Sequence, residues 1–430
     1  MEKVILKIEN LRSLFDTELN KTVNDSTNYI IKIPDYQRIY CWEEKNVITL
    51  LEDILNYSHD KYHLGTIILQ LDKSSTINIH NIVDGQQRLV TLALLLQKLS
   101  PTLNFSLLDE VFYSEEAHEY IAYNKYLIRN YIDNNDVLRD SIQLILENIQ
   151  FSVLIIEEGN LDLAYTFFSN QNSKGIPLTD YSLLKAHHLR YIQAQDQAEH
   201  LAKRWDSVIL NSENDEKDNL NKTFDKYLFR LRKWVRKNDW NNDEKHRIKT
   251  EFEAAPVIQK IPAFAGSFKY SEVIQGGARF FAYADHFIYT FQIFSQTEEY
   301  KLLQQHLSYD RHWWYRDIAE AFLFVYYTKF GDTYLEDALK GILFLLSDHR
   351  YSSRRVDLNP LLKFASDKEI LIMIEQSTSP TFFLAALQTE CKLLKKYSDL
   401  KGTRLSYQNA ISMITKDRNP TVIFNSNARK

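Results

Sequence analysis

The chain has 430 residues, of which 44% are hydrophobic, and its formal net charge is −5. Because a single core stops growing at roughly 250 to 300 residues, this length predicts two or three globular domains. This net negative charge gives no overall attraction to nucleic acid, so any contact with DNA needs a local basic patch. With only Cys41 and Cys391, a disulfide framework and a cysteine zinc site are excluded, which fits a reducing cytoplasm.

The N-terminal sequence and the hydropathy pattern indicate the cellular compartment of the protein. Residues 1–15 lack the basic region, apolar run and small-residue cleavage site of a signal peptide. No segment approaches the ~18 uninterrupted apolar residues of a membrane span. We therefore expect a cytoplasmic protein with no membrane partner.

The first hundred residues mix strand and helix patterns. The β-branched runs "NYIIKIP" and "LGTIILQLD" predict strands, and "EEKNVITLLEDILNY" has helical spacing. In "STINIHNIVD" apolar and polar residues alternate as far as Asp84, and residues 86–99 then predict a helix that Ser100 and Pro101 end. A strand thus leads directly into a helix N-terminus.

The remaining chain is mostly helical in pattern. An exception is "FSVLIIEEG" at 151–159, which predicts a further strand of the same sheet. The acidic stretch "NSENDEKDNLN" holds too little apolar surface to pack and predicts a linker. We predict an α+β domain over 1–205, an acidic linker over 206–222 and a mainly α-helical domain over 223–430.

The strand-to-helix junction carries the motif Asp84-Gly85-Gln86-Gln87-Arg88. A helix N-terminus attracts anions such as phosphate, and Gly85 permits close approach. Gln86 and Gln87 offer amide donors and acceptors, while Arg88 offers a planar cationic fork. Asp84 either caps the helix or orients a nucleophilic or metal-bound water. Read alone, the pentapeptide is also typical of a capped surface turn.

A second polar and aromatic cluster is "IPDYQRIYCW". Tyr36, Tyr40 and Trp42 alternate with Gln37 and Arg38, an arrangement that can enclose a base by stacking and hydrogen bonding. Arg38 then supplies a second phosphate contact. The alternative is aromatic core packing with Arg38 in a structural ion pair.

A third cluster lies in "FFSNQNSKGIPLTDYSLLKAHHL". Asn172 and Lys174 belong to a polar turn suited to an anion, and Lys185 follows on a helix. His187 and His188 are adjacent and point to different helix faces, so they do not form the two-His metal site that i,i+4 spacing allows. We expect structural or surface roles for both histidines and predict no metal site.

Taken in order, these motifs resemble one family. They are Tyr36-Gln37-Arg38-x-Tyr40-x-Trp42, Leu64-Gly65-Thr66, Asp84-Gly85-Gln86-Gln87-Arg88-Leu89, and Phe168-x-x-x-Asn172-Ser173-x-Gly175 with Leu178 and Lys185. The set is similar to the N-terminal domain of GmrSD-type modification-dependent restriction proteins, over about residues 10–200. That domain is related to the nucleotide-binding fold of the ParB and sulfiredoxin group.

The resemblance implies binding and hydrolysis of a nucleoside triphosphate (NTP) of open identity, with Mg²⁺, coupled to sensing of foreign, often modified, phage DNA. It implies catalytic roles for Asp84, Gln87 and Arg88. It implies nucleotide binding by Tyr36, Gln37, Arg38, Gly85, Gln86, Asn172, Lys174 and Lys185.

Two departures from the family pattern matter. Ser182 stands where relatives usually have an Asp three residues before the motif Lys, and the nearby acid is Asp180. The C-terminal half also lacks the HNH nuclease motif, since its late histidines, His306, His312 and His349, lie in helical patterns. We therefore expect a regulatory component with a separate nuclease partner, for example of the HNH type. A stand-alone endonuclease with a divergent metal site and a non-catalytic scaffold stay open, as does a homo-oligomer.

A basic stripe in the C-terminal half is a candidate DNA contact. In "KTFDKYLFRLRKWVRK" helical spacing places apolar residues on one face and basic residues on the other, and we assign DNA binding to Lys226, Arg230, Lys233 and Lys237. The alternative is a solvated face balanced by the acidic stretch before it. "HRYSSRRVDL" at 349–358 is a weaker basic candidate of the same kind.

Overall fold

Strands and helices alternate in the first hundred residues of the computed structural model, as predicted. The structure describes residues 4–15, 29–57, 60–72, 78–109, 115–139, 141–156, 179–192, 194–213, 219–237, 246–254, 268–309, 312–353, 355–395 and 397–416. These fall into two compact units. The first comprises Met1–Leu210, Phe252–Ala254 and Gly276–Ala278, and the second Asn211–Glu251, Ala255–Gln275 and Arg279–Lys430.

The first unit contains a sheet and the helices that cover it. The strands are β1 (Val4–Asn10), β2 (Tyr29–Lys32), β3 (Tyr62–Asp72), β4 (Asn78–Asp84) and β5 (Ile149–Ile156). The helices are α1 (Leu11–Leu14), α2 (Glu44–Tyr57), α3 (Gln86–Leu99), α4 (Ser106–Asp109), α5 (Glu115–Asp133), α6 (Asp136–Arg139), α7 (Ile142–Asn148), α8 (Asp180–Leu189) and α9 (Gln195–Glu213). The strand predicted at 151–159 is confirmed over residues 151–156, which belong to β5, and residues 157–159 lie outside the described residues.

The five strands form one mixed sheet in the order β1-β5-β3-β4-β2. β1 pairs with β5, and β3 with β4, in antiparallel fashion. β5 pairs with β3, and β4 with β2, in parallel. The long central strand β3 therefore runs beside the strand that leads into the DGQQR motif.

The two faces of the sheet are covered differently. Residues of β3 and β4 alternate between them, so that Ile67 and Ile82 join the large core while Ile68 and Val83 join a small one. The large core includes buried residues of α2, α3 and α5. In the small core Leu183 and Ala186 of α8 pack against the other face. The helix after the DGQQR motif thus lies on one face, and α8 on the other.

Helix α3 is the central helix of the large core. Every residue from Leu89 to Leu96 is buried. A helix that is apolar on all sides is stable only when neighbours surround it. This burial fixes the position of its first turn, where the motif residues lie.

The second unit is helical over its described residues. Its elements are α10 (Asn219–Asn221), a π-helix (Lys222–Phe229), α11 (Arg230–Val235), α12 (Arg247–Phe252), α13 (Ala278–Phe294), α14 (Glu298–His306), α15 (His312–Phe330), α16 (Leu335–Ser352), α17 (Leu358–Asp367), α18 (Ile370–Gln376), α19 (Pro380–Lys392) and α20 (Thr403–Thr415). Its core is rich in aromatic side chains, and His306, His312 and His349 all lie in helices, as predicted. The α+β class with a mainly helical C-terminal part is confirmed.

The predicted acidic linker over 206–222 contains helical residues. Residues 206–213 belong to α9, residues 214–218 lie outside the described residues, and helical structure resumes at Asn219. The two compact units divide between Leu210 and Asn211, within this stretch. The domain boundaries stay a prediction. Within the described ranges, no helix combines the length and the apolar composition that a membrane crossing requires.

Candidate functional site at the strand–helix junction

Gly85 makes the turn from β4 into α3. It occupies the N-cap position with φ +100°, a conformation that L side chains rarely adopt. A Cβ at this position would meet Cγ1 of Ile67 at 3.1 Å. Gly85 is the N-cap, so Asp84 does not act as the cap of the helix. Among the described residues, no side chain accepts from the N–H groups of the first turn.

The two motif glutamines hold the preceding loop against the start of α3. Nε2 of Gln86 donates to the carbonyl of Arg38 at 2.9 Å. Gln87 makes a matched pair of bonds, since Nε2 donates to Ile39 O at 3.1 Å and Oε1 accepts from Cys41 N at 2.9 Å. The amide of Gln87, predicted to be catalytic, is thus bonded to backbone on both sides.

Gln37 ties the same loop to β4. Its buried side chain donates to the carbonyls of Ile82 at 2.9 Å and Val83 at 2.8 Å. These carbonyls immediately precede Asp84. Since three glutamine side chains bind backbone groups of this loop or strand, they form a frame around the junction.

Arg88 completes the frame on the β3 side. Its guanidinium donates to Leu64 O at 2.9 Å and to Thr66 O at 2.7 Å. The intervening Gly65 has φ +110°, and a Cβ there would lie 2.6 Å from Nη1 of Arg88. This contact explains why the motifs "LGT" and "DGQQR" occur together. Asp84 lies 3.8 Å from Arg88, and burial lowers the pKa of the arginine against the opposing effect of that carboxylate.

The topology of the sheet explains why these two carbonyls need a side-chain donor. In the pairing of β3 with β4, Asp84 at the end of β4 lies opposite Ile68. The chain then turns away at Gly85, so Leu64 and Thr66 lie beyond the end of the neighbouring strand. The guanidinium of Arg88 takes the place of the missing strand N–H groups.

Lys185 contacts the frame from α8. The side chain is fully buried, and Nζ lies 2.6 Å from Gln37 O and 2.8 and 3.0 Å from the two carboxylate oxygens of Asp206. An ammonium has three donors, and these three contacts can use them all. These contacts give Lys185 a structural role, and its direct nucleotide contact stays a prediction. Burial raises the pKa of Asp206, and Lys185 opposes this rise.

Asp206 is a residue that the sequence analysis missed. It lies on α9, 21 positions beyond Lys185. No motif or spacing joins the two residues, because the pair forms between helices. Only the packing of α8 and α9 reveals it.

Among the aromatic residues of the second cluster, Tyr40 is a core residue, and Trp42 and Tyr36 are partly buried against the large and the small core. The hydroxyl of Tyr40 lies 2.8 Å from Thr91 Oγ1 and accepts from Asn124 at 3.0 Å. Asn124 also donates to Trp42 O at 2.8 Å. Tyr36 packs against the small core, and burial raises its pKa. These contacts favour the core-packing alternative for Tyr40, while nucleotide binding by Tyr36 stays a prediction.

Three groups at the junction are not used by the fold. Among the described residues, the guanidinium of Arg38 makes no hydrogen bond, ion pair or ring contact, and Asp84 has only its 3.8 Å contact with Arg88. Oε1 of Gln86 is buried and has no donor. Asn172 and Lys174 lie outside the described residues. Within the described part of the chain, the residues at the start of α3 thus include an arginine without a side-chain partner, a carboxylate with one long contact and an acceptor without a donor.

The comparison with known families agrees with the motif order. Residues 19–189 match the family model of the GmrSD restriction endonuclease N-terminal domain. This part of the chain is a GmrSD N-terminal domain. Residues 253–402 match a second family, DUF7834, whose function is unknown. No curated protein matches the chain.

The GmrSD N-terminal domain ends near two buried histidines of α8. Nε2 of His187 accepts from Ala254 N at 2.9 Å, and Nε2 of His188 lies 2.9 Å from Phe252 O. Burial lowers the pKa of His188 well below its usual value. Both rings therefore hold the segment Phe252–Ala254, which confirms their expected structural role.

The basic stripe lies outside the GmrSD N-terminal domain, and the structure corrects its geometry. Arg230 is only 5% exposed, and it donates to Asp317 O at 3.3 Å. Burial lowers its pKa. The reason is the π-helix Lys222–Phe229, whose i→i+5 bonds put more residues in each turn and break the α-helical spacing assumed from sequence.

The lysines of the stripe are more accessible than Arg230. Lys226 lies 3.6 Å from Asp317 with its side chain 40% exposed, and Lys237 lies 2.9 Å from Glu369 with its side chain 67% exposed. Lys233 lies over the ring of Phe229 at 5.4 Å. The stripe is thus discontinuous, and DNA binding by its lysines stays a prediction.

Proposed function

We propose that this protein is an NTP-binding and NTP-hydrolysing sensor subunit of an anti-phage, modification-dependent restriction system, acting with a separate nuclease. The GmrSD N-terminal domain ties the chain to restriction systems. Its ligand is a nucleoside triphosphate with Mg²⁺, and its macromolecular partners are phage DNA and a nuclease. In this proposal the domain has a ParB-like nucleotide-binding fold, as its motifs imply.

The observation that carries the proposal is the uncapped first turn of α3 next to the backbone of Arg38, whose guanidinium has no partner among the described residues. The carbonyl of Arg38 accepts from Gln86, so its backbone lies next to that turn. A helix N-terminus with a nearby cation suits a phosphate group, because the N–H groups and the positive charge act on the same oxygens.

The remaining motif residues serve the site indirectly. Gln37, Gln87 and Arg88 fix the loop, the strand end and the first helical turn relative to one another. Such a frame keeps phosphate-binding groups in place before the ligand arrives, which reduces the ordering cost of binding. Asp84, which is partly exposed at 28%, is the carboxylate that holds Mg²⁺ or a nucleophilic water.

The test of binding uses a fluorescent NTP analogue and a charge-matched control. We expect Arg38→Gln to weaken NTP binding about tenfold or more, because a charge-assisted phosphate contact is lost. Arg129→Gln removes an exposed arginine of the same unit, 69% exposed, and should leave affinity unchanged. Wild-type protein that binds none of the four NTPs, with or without Mg²⁺ and DNA, would refute the proposal.

The test of hydrolysis separates the sensor from a scaffold. In a sensor that turns over NTP, Asp84→Asn abolishes phosphate release but preserves binding. The non-catalytic scaffold is the second candidate, and the backbone bonds of Gln87 and Arg88 favour it, because both residues predicted to be catalytic are used structurally. Tight NTP binding by the wild type without turnover would identify the scaffold.

The nuclease assignment has its own test. The purified chain is incubated alone with plain, hydroxymethylated and glucosylated DNA and with Mg²⁺ or Mn²⁺. The proposal expects no cleavage until a nuclease subunit is added. Cleavage by the chain alone, lost in Asp84→Asn, would instead identify a stand-alone endonuclease.

A further inference from the structure

A second uncapped helix N-terminus lies in the helical unit, at the start of α20. Its N-cap is Gly402, with φ +59° and no side-chain cap. Gly402 O accepts the first helical bond from Ser406 at 3.0 Å. Gly402 and Thr403 are exposed, and none of the described residues beyond its chain neighbours comes within 4 Å of where a Cβ at Gly402 would stand. The 13-residue helix thus directs unbonded N–H groups into accessible space.

A buried arginine lies directly at this helix start. Arg350 is only 3% exposed and donates to Oγ1 of Thr403, the first residue of the helix. In the described part of the chain, its one further bond is a long one, 3.5 Å, to Ser353 O, its Nε has no partner, and no carboxylate lies within ion-pair distance. A buried charge that is neither paired nor fully hydrogen-bonded is unfavourable, and a bound anion would compensate it.

A second arginine points to the same place. Nε of Arg404 donates to Ser353 O at 3.2 Å, so both guanidinium groups meet at one carbonyl. Within the described chain, Asp348 accepts from Tyr397 at 2.8 Å and forms no ion pair with either arginine. Two like charges at one acceptor repel each other unless an anion lies between them.

The effect of Arg350 on its neighbours agrees with an uncompensated charge. His349 is bonded through Nδ1 to Tyr315 OH at 2.8 Å. Burial first, and the charge of Arg350 second, lower the pKa of His349, while Asp348 opposes them. The local field is therefore positive despite the nearby aspartate.

We propose that Gly402, the first turn of α20, Arg350 and Arg404 form an oxyanion site for a phosphate group, separate from the nucleotide site of the GmrSD N-terminal domain. Phosphate supplies several acceptor oxygens and a charge that matches two arginines and a helix N-terminus. The basic stretch at 349–358, the weaker of the two basic segments in the sequence, supplies the buried arginine. Gly402 and Arg350 lie within the match to DUF7834, and Arg404 lies just beyond it.

The first test uses the full chain and inorganic phosphate, with ³¹P line broadening as the readout of binding. Wild-type protein should bind phosphate, and Arg404→Gln should weaken this binding about tenfold. Lys363→Gln removes an exposed lysine of the same unit and is the charge-matched control. Because phosphate also stabilises proteins by exclusion from their surface, only the difference between variants at equal ionic strength counts. Equal phosphate binding by wild type and Arg404→Gln overturns the proposal.

The second test concerns the buried arginine. In phosphate-free buffer, Arg350→Met should unfold at a urea concentration no lower than wild type, because an uncompensated buried charge has been removed. Phosphate should raise the unfolding midpoint of wild type and not that of Arg350→Met. A variant that is less stable without phosphate and still gains stability from phosphate would give Arg350 a purely structural role and overturn the proposal.

The source of the phosphate group is decided by competition. If a short DNA duplex displaces inorganic phosphate from wild type and Arg404→Gln loses both ligands, the natural ligand is a backbone phosphodiester. If inorganic phosphate binds and the duplex does not compete, the natural ligand is a small phosphate compound. Both results support the oxyanion site. Wild-type protein that binds neither ligand refutes the oxyanion site, whatever effect Arg38→Gln has on NTP binding.

Discussion

The ammonium of Lys185 lies 2.8 Å from Oδ1 of Asp206 and has no exposure to solvent. The same ammonium lies 2.6 Å from the carbonyl of Gln37. Gln37 in turn bonds the two carbonyls that precede Asp84. A buried ion pair on α8 and α9 thus supports the loop that borders the candidate nucleotide site.

Breaking this pair should be strongly destabilising. Asp206→Ala leaves an unpaired ammonium in the interior, and we expect the free energy of unfolding to fall by about 3 kcal/mol. Lys185→Met with Asp206→Ala should recover part of this loss, because the double variant has no buried charge. Urea denaturation measures both effects. Arg129→Gln, at an exposed ion pair, should change stability by less than about 0.5 kcal/mol, and an equally small effect of Asp206→Ala would contradict the prediction.

The contact between Gly65 and Arg88 predicts coupled mutations. Gly65→Ala should lower the free energy of unfolding by about 2 to 4 kcal/mol, since it combines backbone strain with displacement of the guanidinium. Arg88→Ala should cost about 1 to 3 kcal/mol, because two strand carbonyls lose their donor. The double variant should be less destabilised than the sum, because both changes remove the same bonds.

Gly331 offers the matched control for this experiment. It has φ +67° and no atom within 4 Å of a Cβ position. Gly331→Ala therefore reports backbone strain alone, about 1 kcal/mol. Strict additivity of Gly65→Ala and Arg88→Ala, or equal effects at Gly65 and Gly331, would count against the contact.

Glu320 should make the stability of the helical unit depend on pH. It is 1% exposed, and burial raises its pKa to about 7, with Asp317 adding to the rise and Arg316 and Tyr227 opposing it. Because its folded-state pKa lies above the unfolded value, its stabilising contribution is complete below about pH 4.5. That contribution is lost as the pH rises through about 7, since unfolding then releases the group into water as the favoured carboxylate.

The comparison with Glu320→Gln isolates this effect. The variant keeps a neutral side chain of the same shape. Its free energy of unfolding should therefore not fall between pH 5 and 7 through titration at this position. Wild type should lose stability relative to the variant by up to about 1.4 kcal/mol for each pH unit in that window. Chemical denaturation at pH 5, 6, 7 and 8 gives the difference. Parallel pH profiles for the two proteins would be inconsistent with a raised pKa.

The exposed lysines of the second unit should account for DNA binding. Lys226→Gln with Lys237→Gln should weaken binding to any duplex and reduce the salt slope by about 1.8, if both lysines contact phosphates. Lys363→Gln should have no effect. Arg230→Met should destabilise the unit without a specific change in the salt slope, because Arg230 is buried. An unchanged salt slope in the double lysine variant would exclude these contacts.

Much of the local structure could be predicted from sequence. The alternation that ends at Asp84, the glycine after it and the apolar run to Leu99 predict a strand, a turn and a helix, and the structure has all three. The spacing argument failed at Arg230, because a π-helix departs from the 3.6-residue period on which helical spacing rests. The predicted linker at 206–222 was assumed to be irregular from its composition, but residues 206–213 continue the helix α9.

By itself the sequence determined the elements and the order of the motifs, because backbone preferences and hydrophobic periodicity act over a few neighbouring residues. Tertiary structure alone decided what each polar side chain does. Gln37 bonds Ile82 across 45 positions, and Lys185 bonds Gln37 across 148. A hydrogen bond depends on a distance of about 3 Å between atoms, and residues so far apart in the chain reach that distance only when the sheet and its helices pack. That packing uses Gln37, Gln87 and Arg88 to hold the loop, the strand end and the start of α3 together.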